Sequence, residues 1–141
     1  MKKIFLALAI IVVVVGGIFA VKLLKKEPLG PIISISPIKN DLGSVIYGDV
    51  ATYTIKVANI GDADLVIRKI STSCGCTKAK IEETDKVIAP GKSADIAVSF
   101  DPAVHKDDTD VGELVRIIYI NSNDPKNPEV QSELNAFVIK N

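Results

Sequence analysis

From Ala51 onward, apolar and polar residues alternate with a period of two, the spacing of strands that bury one face. In ATYTIKVAN, Ala51, Tyr53, Ile55 and Val57 share one face, and Thr52, Thr54 and Lys56 share the other. SADIAVSF repeats this with Ala94, Ile96, Val98 and Phe100 inward and Asp95 and Ser99 outward. EVQSELNAFVI sets Val130, Leu134, Ala136 and Val138 against Gln131, Glu133 and Asn135. ELVRIIYIN is apolar at nearly every position, as expected of a central strand with little solvent contact. LVIRKIS is a further short strand. NIGDAD, APGK, FDPAVHKDDTDVG and NSNDPKNPE separate these runs and carry the Gly, Pro, Asn and Asp that turns use. No helical pattern follows the amino-terminal segment. Together these runs predict an all-β fold, an immunoglobulin-like antiparallel β-sandwich of about seven strands. Its expected core includes Tyr53, Ile55, Val57, Ile96, Val98, Phe100, Ile117, Leu134 and Val138. The chain has no tryptophan and no widely spaced cysteine pair, so an antibody-type core is excluded.

The pattern is different at the amino terminus. The 18 residues from Ile4 to Val21, IFLALAIIVVVVGGIFAV, carry no charge and are bracketed by Lys2 and Lys3 and by Lys22, Lys25 and Lys26. As a helix this run is about 27 Å long, close to the roughly 30 Å hydrocarbon core of a bilayer. Lys22 can snorkel, which lets a transmembrane span run from Ile4 to Leu24. A secretory signal peptide has a shorter apolar stretch and a small-residue cleavage site, whereas here bulky Ile18 precedes Ala20. The expectation is an uncleaved membrane anchor over residues 1–26. The alternative is a signal segment whose removal leaves a secreted or periplasmic domain. Basic residues nearly balance across the segment, so orientation rests on the short tail before it, which favours a single-pass protein in the cell membrane with its domain extracytoplasmic. The proline- and glycine-containing stretch 27–37 reads as a stiff spacer, and 38–141 as the sandwich domain.

Charge changes the picture once the anchor is set aside. The chain has 17 basic and 17 acidic residues; five lysines and Glu27 fall within residues 1–27, leaving 12 basic and 16 acidic residues, a net of −4. A mildly acidic domain without a basic cluster does not attract phosphate backbones, so nucleic-acid binding is excluded. Asp107, Asp108 and Asp110 could present carboxylates to calcium, but one loop with uneven spacing lacks a dedicated ligand pattern. The expectation there is a solvated loop.

The candidate chemistry is STSCGCTKAK, which holds the only two cysteines, Cys74 and Cys76, with Gly75 between them. Four readings stay open: two small buried residues at a strand end, a direct Cys74–Cys76 disulfide, a redox pair, and a metal site. A zinc site normally takes four ligands. The sole histidine, His105, stands in a loop far along the chain, and the sole methionine is Met1. Two thiolates alone suit a soft ion such as Cu(I), which keeps copper binding or redox exchange as the alternative function. No catalytic constellation is visible, because one histidine without a nucleophile motif makes no triad. The expected function is therefore a non-enzymatic binding or scaffold module without a cofactor, held to the membrane by its amino-terminal helix. It would meet a protein partner through an edge strand or a loop.

The residues carry a resemblance as well. DLGSVIYGDVATYTIKVANIGDADLVIRKISTSCGCT, IAPGKSADIAVSFDP and INSNDPKNPEV, in that order, resemble the bacterial domain of unknown function 1573, itself similar to ASH/hydin-like immunoglobulin-type domains. The likeness covers about residues 40–138. It implies an extracytoplasmic, envelope-associated domain of immunoglobulin type and brings no catalytic activity with it. Read as folding signals, Gly48, Gly61 and Gly91 suit turns that need positive φ. Asp49, Asp62 and Asp124 can bond nearby backbone N–H groups, and Pro90 and Pro125 pre-set turn geometry.

Overall fold

The alternating runs become the longer strands of a two-layered sandwich. The computed structural model describes residues 28–140. The expected anchor over residues 1–26, with its span from Ile4 to Leu24, lies outside the described residues. Among the described residues no helix is long and apolar enough to cross a membrane. The described residues form nine strands: β1 (Ile33–Ser36), β2 (Lys39–Ile46), β3 (Ala51–Asn59), β4 (Leu65–Thr72), β5 (Thr77–Lys80), β6 (Val87–Ile88), β7 (Ser93–Phe100), β8 (Gly112–Ser122) and β9 (Glu129–Ile139). One sheet runs β1-β3-β7-β5 and the other β2-β9-β8-β4-β6. The sandwich thus begins at Ile33, inside the stretch 27–37 that reads as spacer.

The pairing is antiparallel except between β2 and β9, which run parallel. The chain enters the first sheet as β1, breaks at Pro37, which has no N–H to give a ladder, and crosses to the second sheet as β2. Crossing over without reversing direction leaves β2 parallel to the last strand.

Ile55, Val57, Ile96, Val98, Phe100, Leu134 and Val138 are buried between the sheets as expected, and Tyr53 packs against them half-buried. Ile117 differs. On β8 the inward row is Leu114, Arg116, Ile118, Ile120 and Ser122, and Ile117 lies on the outer face. A run that is apolar at both parities does not say which face is inward. Here the inward parity holds Leu114, Ile118 and Ile120, all buried.

The two ends of the sandwich differ. At one end the described chain is tied down: the Leu29 and Gly30 N–H groups donate to the Asp62 carboxylate at 2.9 and 2.7 Å, and the Ile33 N–H donates to Asp124 at 2.9 Å. Buried Asn59 stitches the same end, donating to the Ala63 and Ile88 carbonyls, both at 2.8 Å. Gly48 and Gly91 do have positive φ, 99° and 72°. Gly61 is needed for a different reason: a Cβ there would stand 2.0 Å from the Gly30 carbonyl oxygen. The 11 residues of β8 lead from the opposite end back to this one, a length of about 36 Å.

Candidate functional site

At that opposite end β4 leaves the five-stranded sheet and β5 begins in the four-stranded one, so the chain must cross the open mouth of the sandwich. Ser73 to Cys76 make the crossing. The Thr72 hydroxyl holds it tight, its single O–H shared between the Cys74 carbonyl at 3.0 Å and the Thr77 carbonyl at 2.9 Å. Ser73 is tied to β8 twice: its N–H donates to the Ile117 carbonyl at 2.9 Å, and its Oγ accepts from the Ile117 N–H at 2.9 Å. Within this loop the Cys74 and Cys76 sulfurs are in direct contact, with their Cα atoms 5.4 Å apart. The Cys76 N–H points at Cys74 Sγ, 3.0 Å away.

The two sulfurs have different surroundings. Cys76 is 2 % exposed and belongs to the core, whereas Cys74 is only partly covered. Arg116 interrupts the apolar inward row of β8, and its Nε–H donates to Cys76 Sγ at 3.2 Å. The same guanidinium donates through Nη2 to Asp110 Oδ1 at 2.6 Å. Asp110 is 1 % exposed, and its second oxygen lies 2.6 Å from His105 Nδ1. A carboxylate paired with arginine only accepts, so Nδ1 carries the proton and a neutral imidazole leaves Nε2 free. That Nε2 hangs over the cysteine loop: a Cβ built on Gly75 would lie 3.7 Å from it.

The loop before β8 is held in place from both sides. Its first N–H, from Asp101, donates to the Cys76 carbonyl at 2.8 Å. Asp107 accepts from the Thr109 N–H at 2.9 Å, and hydrogen bonds from Thr109 hold its carboxyl below the ordinary carboxylate value. The Tyr47 hydroxyl donates to the Asp107 carbonyl at 3.1 Å, and Lys140 pairs with Asp108. The solvated-loop reading therefore suits Asp107 and Asp108 but not Asp110, which is buried between Arg116 and His105. His105, distant in sequence, folds back onto the cysteines.

Cys74, Cys76 and Asp110 place three ligand atoms within 4.8 Å of one another, the grouping a copper ion would meet here. Its electrostatics suit a cation poorly. Arg116 already sets positive charge against Cys76 and Asp110, and both Asp110 oxygens are engaged. The arrangement is better matched to negative charge on sulfur, which a guanidinium stabilises through a charge-assisted hydrogen bond.

Sequence reasoning singled out the two cysteines and missed Asp110, Arg116 and His105 as their partners. Arg116 gave no signal, because the run around it is apolar at both parities and its facing is not readable from the sequence.

A family model described as "Protein of unknown function (DUF1573)" matches residues 33–138. The chain belongs to the DUF1573 family. Among curated proteins none matches this sequence. A protein of unknown function from Porphyromonas gingivalis W83 is similar in structure, with 22% identity and a TM-score of 0.68, over 81% of this chain and 50% of its own. The present chain thus spans about half the length of that relative. The ASH/PapD-like domain 7 of human CEP192 superposes with a TM-score of 0.56 at 11% identity, over 84% of this chain and 92% of its own. The Vibrio cholerae VesB protease matches at 14% identity and a TM-score of 0.60, over 74% of this chain but only 31% of its own. At these identities the likeness establishes the immunoglobulin-type fold of this DUF1573 domain, and that alone.

Proposed function

We propose that this DUF1573 protein is a single-pass, membrane-tethered extracytoplasmic module that binds a protein partner rather than acting as a conventional enzyme. Its working surface would be the pole farthest from the anchor. The observation that carries this reading is a group of exposed apolar side chains at that pole. Ile46, Val115, Phe137 and Ile139 lie on the outer face of the five-stranded sheet, and Phe137 is 52 % exposed. Ile46 is the register partner of Ile139, and Phe137 is flanked by Ser44 and Glu113 on the neighbouring strands. Apolar side chains gathered at one end of an outer sheet face favour a partner's contact.

The strand edges favour the same pole. β1 and β5 have four residues each and β6 has two, and β5 carries exposed Lys78 and Lys80. β2 is broken by a register shift between Asp41 and Ser44, with Gly43 at a φ of 63°. Short, charged or bulged edges resist strand addition. Loop and face contact is therefore the favoured mode. The 18 uncharged residues bracketed by lysines support the tether.

Two measurements test the reading. Protease added to intact cells should digest the domain; protection until lysis would contradict the topology. A photo-crosslinking residue at Phe137 should give a discrete adduct in the native envelope, and the same probe at Lys56, on the other sheet, should not. Equal yields from both positions, or none from Phe137, would contradict the binding surface.

A further inference from the structure

We propose that Cys74 and Cys76 form a reversible dithiol–disulfide couple that exchanges with an exposed thiol on a protein partner, Cys74 taking the incoming sulfur and Cys76 leaving as a thiolate. The choice of a protein as thiol donor rests on the binding reading above; the chemistry rests on the site alone. Three features of the site converge. Cys74 is the partly exposed residue of the pair and Cys76 the buried one. Arg116 Nε stands 3.2 Å from Cys76, where negative charge develops as that sulfur departs. His105, oriented by Asp110 at 2.6 Å, turns its free Nε2 toward the exposed face of the loop at Gly75.

The step balances as follows. A partner thiol gives its proton to His105 Nε2, and the resulting thiolate attacks Cys74 Sγ in line with the bond to Cys76. The partner–Cys74 disulfide forms, the Cys74–Cys76 bond breaks, and the electron pair stays on Cys76, which accepts from Arg116. Return attack by Cys76 on Cys74 expels the partner and restores the starting state. If the partner instead presents a second thiol, that thiol attacks the partner sulfur of the mixed disulfide. The bond to Cys74 breaks, and Cys74 leaves with the electron pair and takes up the proton the second thiol loses. The partner dithiol is then oxidised by two electrons and Cys74 and Cys76 are left reduced.

Stability alone does not select such a site. A buried ion pair of the Arg116–Asp110 kind is commonly matched or bettered by apolar residues of similar volume. Its position against one sulfur of a cysteine pair, with the imidazole on its other side, is what the exchange chemistry needs.

The test uses the full chain in detergent, oxidised, then mixed with glutathione, quenched with iodoacetamide and mapped by mass spectrometry. Glutathione should appear on Cys74. With glutathione disulfide as the probe, reduced Cys76→Ser should be modified at Cys74 at least about tenfold faster than reduced Cys74→Ser is at Cys76. Opening of the oxidised pair should slow about tenfold in Arg116→Gln, the scale of one hydrogen bond to a charged group. His105→Asn, a change at an exposed side chain, should slow opening near pH 7 but not near pH 9, where glutathione is already largely thiolate. First attack at Cys76, a pair that glutathione does not open, or a wild-type pH profile in His105→Asn would each overturn the proposal. So would stoichiometric copper retained through purification. If Arg116→Gln does not fold, the His105 profile and the site of modification still decide. Crosslinking from Phe137 needs no thiol, so failure of the binding reading and failure of this chemistry are separately visible.

Discussion

Arg116 reaches from the inward row of β8 to place its Nε 3.2 Å from Cys76 Sγ, while Asp110 holds the same guanidinium at 2.6 Å. A strand whose other inward residues are Leu114, Ile118, Ile120 and Ser122 thus ends one pole of the core with a charge. Removing one member exposes the arrangement. Asp110→Ala leaves Arg116 uncompensated and should cost about 3–5 kcal/mol, read by urea unfolding. The apolar double replacement Asp110→Leu/Arg116→Met should restore most of that stability while opening of the cysteine pair by glutathione slows. If the double variant is as unstable as the single one, the ion pair is serving the fold after all.

Asp124 should set part of the acid sensitivity. Burial on its own would raise its carboxyl, but the backbone N–H groups of Ile33, Asn127 and Lys126 together bring it below the ordinary value. A folded-state value below the unfolded one adds stability above about pH 4, and that stability is lost as pH falls through the folded-state value. Asp124→Asn should cost about 1–3 kcal/mol at pH 7 and flatten the decline in stability below about pH 4. An unchanged acid limb in thermal melts would show that Asp124 is not among the responsible groups.

Gly61→Ala tests how the chain is tied down near Asp62. The added Cβ would also approach the Ile32 nitrogen to 2.7 Å, and both close contacts are with backbone, which cannot swing aside. Hydrogen exchange of β1 should accelerate in this variant far more than in Gly91→Ala, whose positive φ costs about 1 kcal/mol without a clash. Equal protection of β1 in the two would contradict the close approach.

The facing of β8 is checked by neighbours. Ile118 is fully buried, and Ile118→Asp should unfold a domain whose total stability is of order 5–15 kcal/mol. Ile117→Asp, on the outer face, should leave a cooperative melt. Ile96→Asp belongs with Ile118→Asp, since Ile96 is also at 0 % exposure.

Strands with one buried face were legible from their alternation, as β3, β7 and β9 show. β8 was legible as a strand but not as a face, because apolar residues fill both parities around Ile117 and Ile118. β5 and β6 are too short to show a period, and β2 carries a register shift at its glycine that breaks one. The cysteines stood out by rarity. Their partners did not, since the Arg116–Cys76 contact spans 40 residues and depends on two strands meeting across the mouth of the sandwich. Asp110 looked like its neighbours Asp107 and Asp108, and only burial tells it apart.

The most direct measurement of the account is the equilibrium between disulfide and dithiol at Cys74 and Cys76 in a glutathione redox buffer, compared between wild type and Arg116→Gln. Stabilising the Cys76 thiolate favours the reduced pair, so loss of the guanidinium should shift the balance toward the disulfide, by about tenfold in the equilibrium constant. An equilibrium unchanged in a folded Arg116→Gln variant would contradict the claim that Arg116 is placed to hold charge on Cys76.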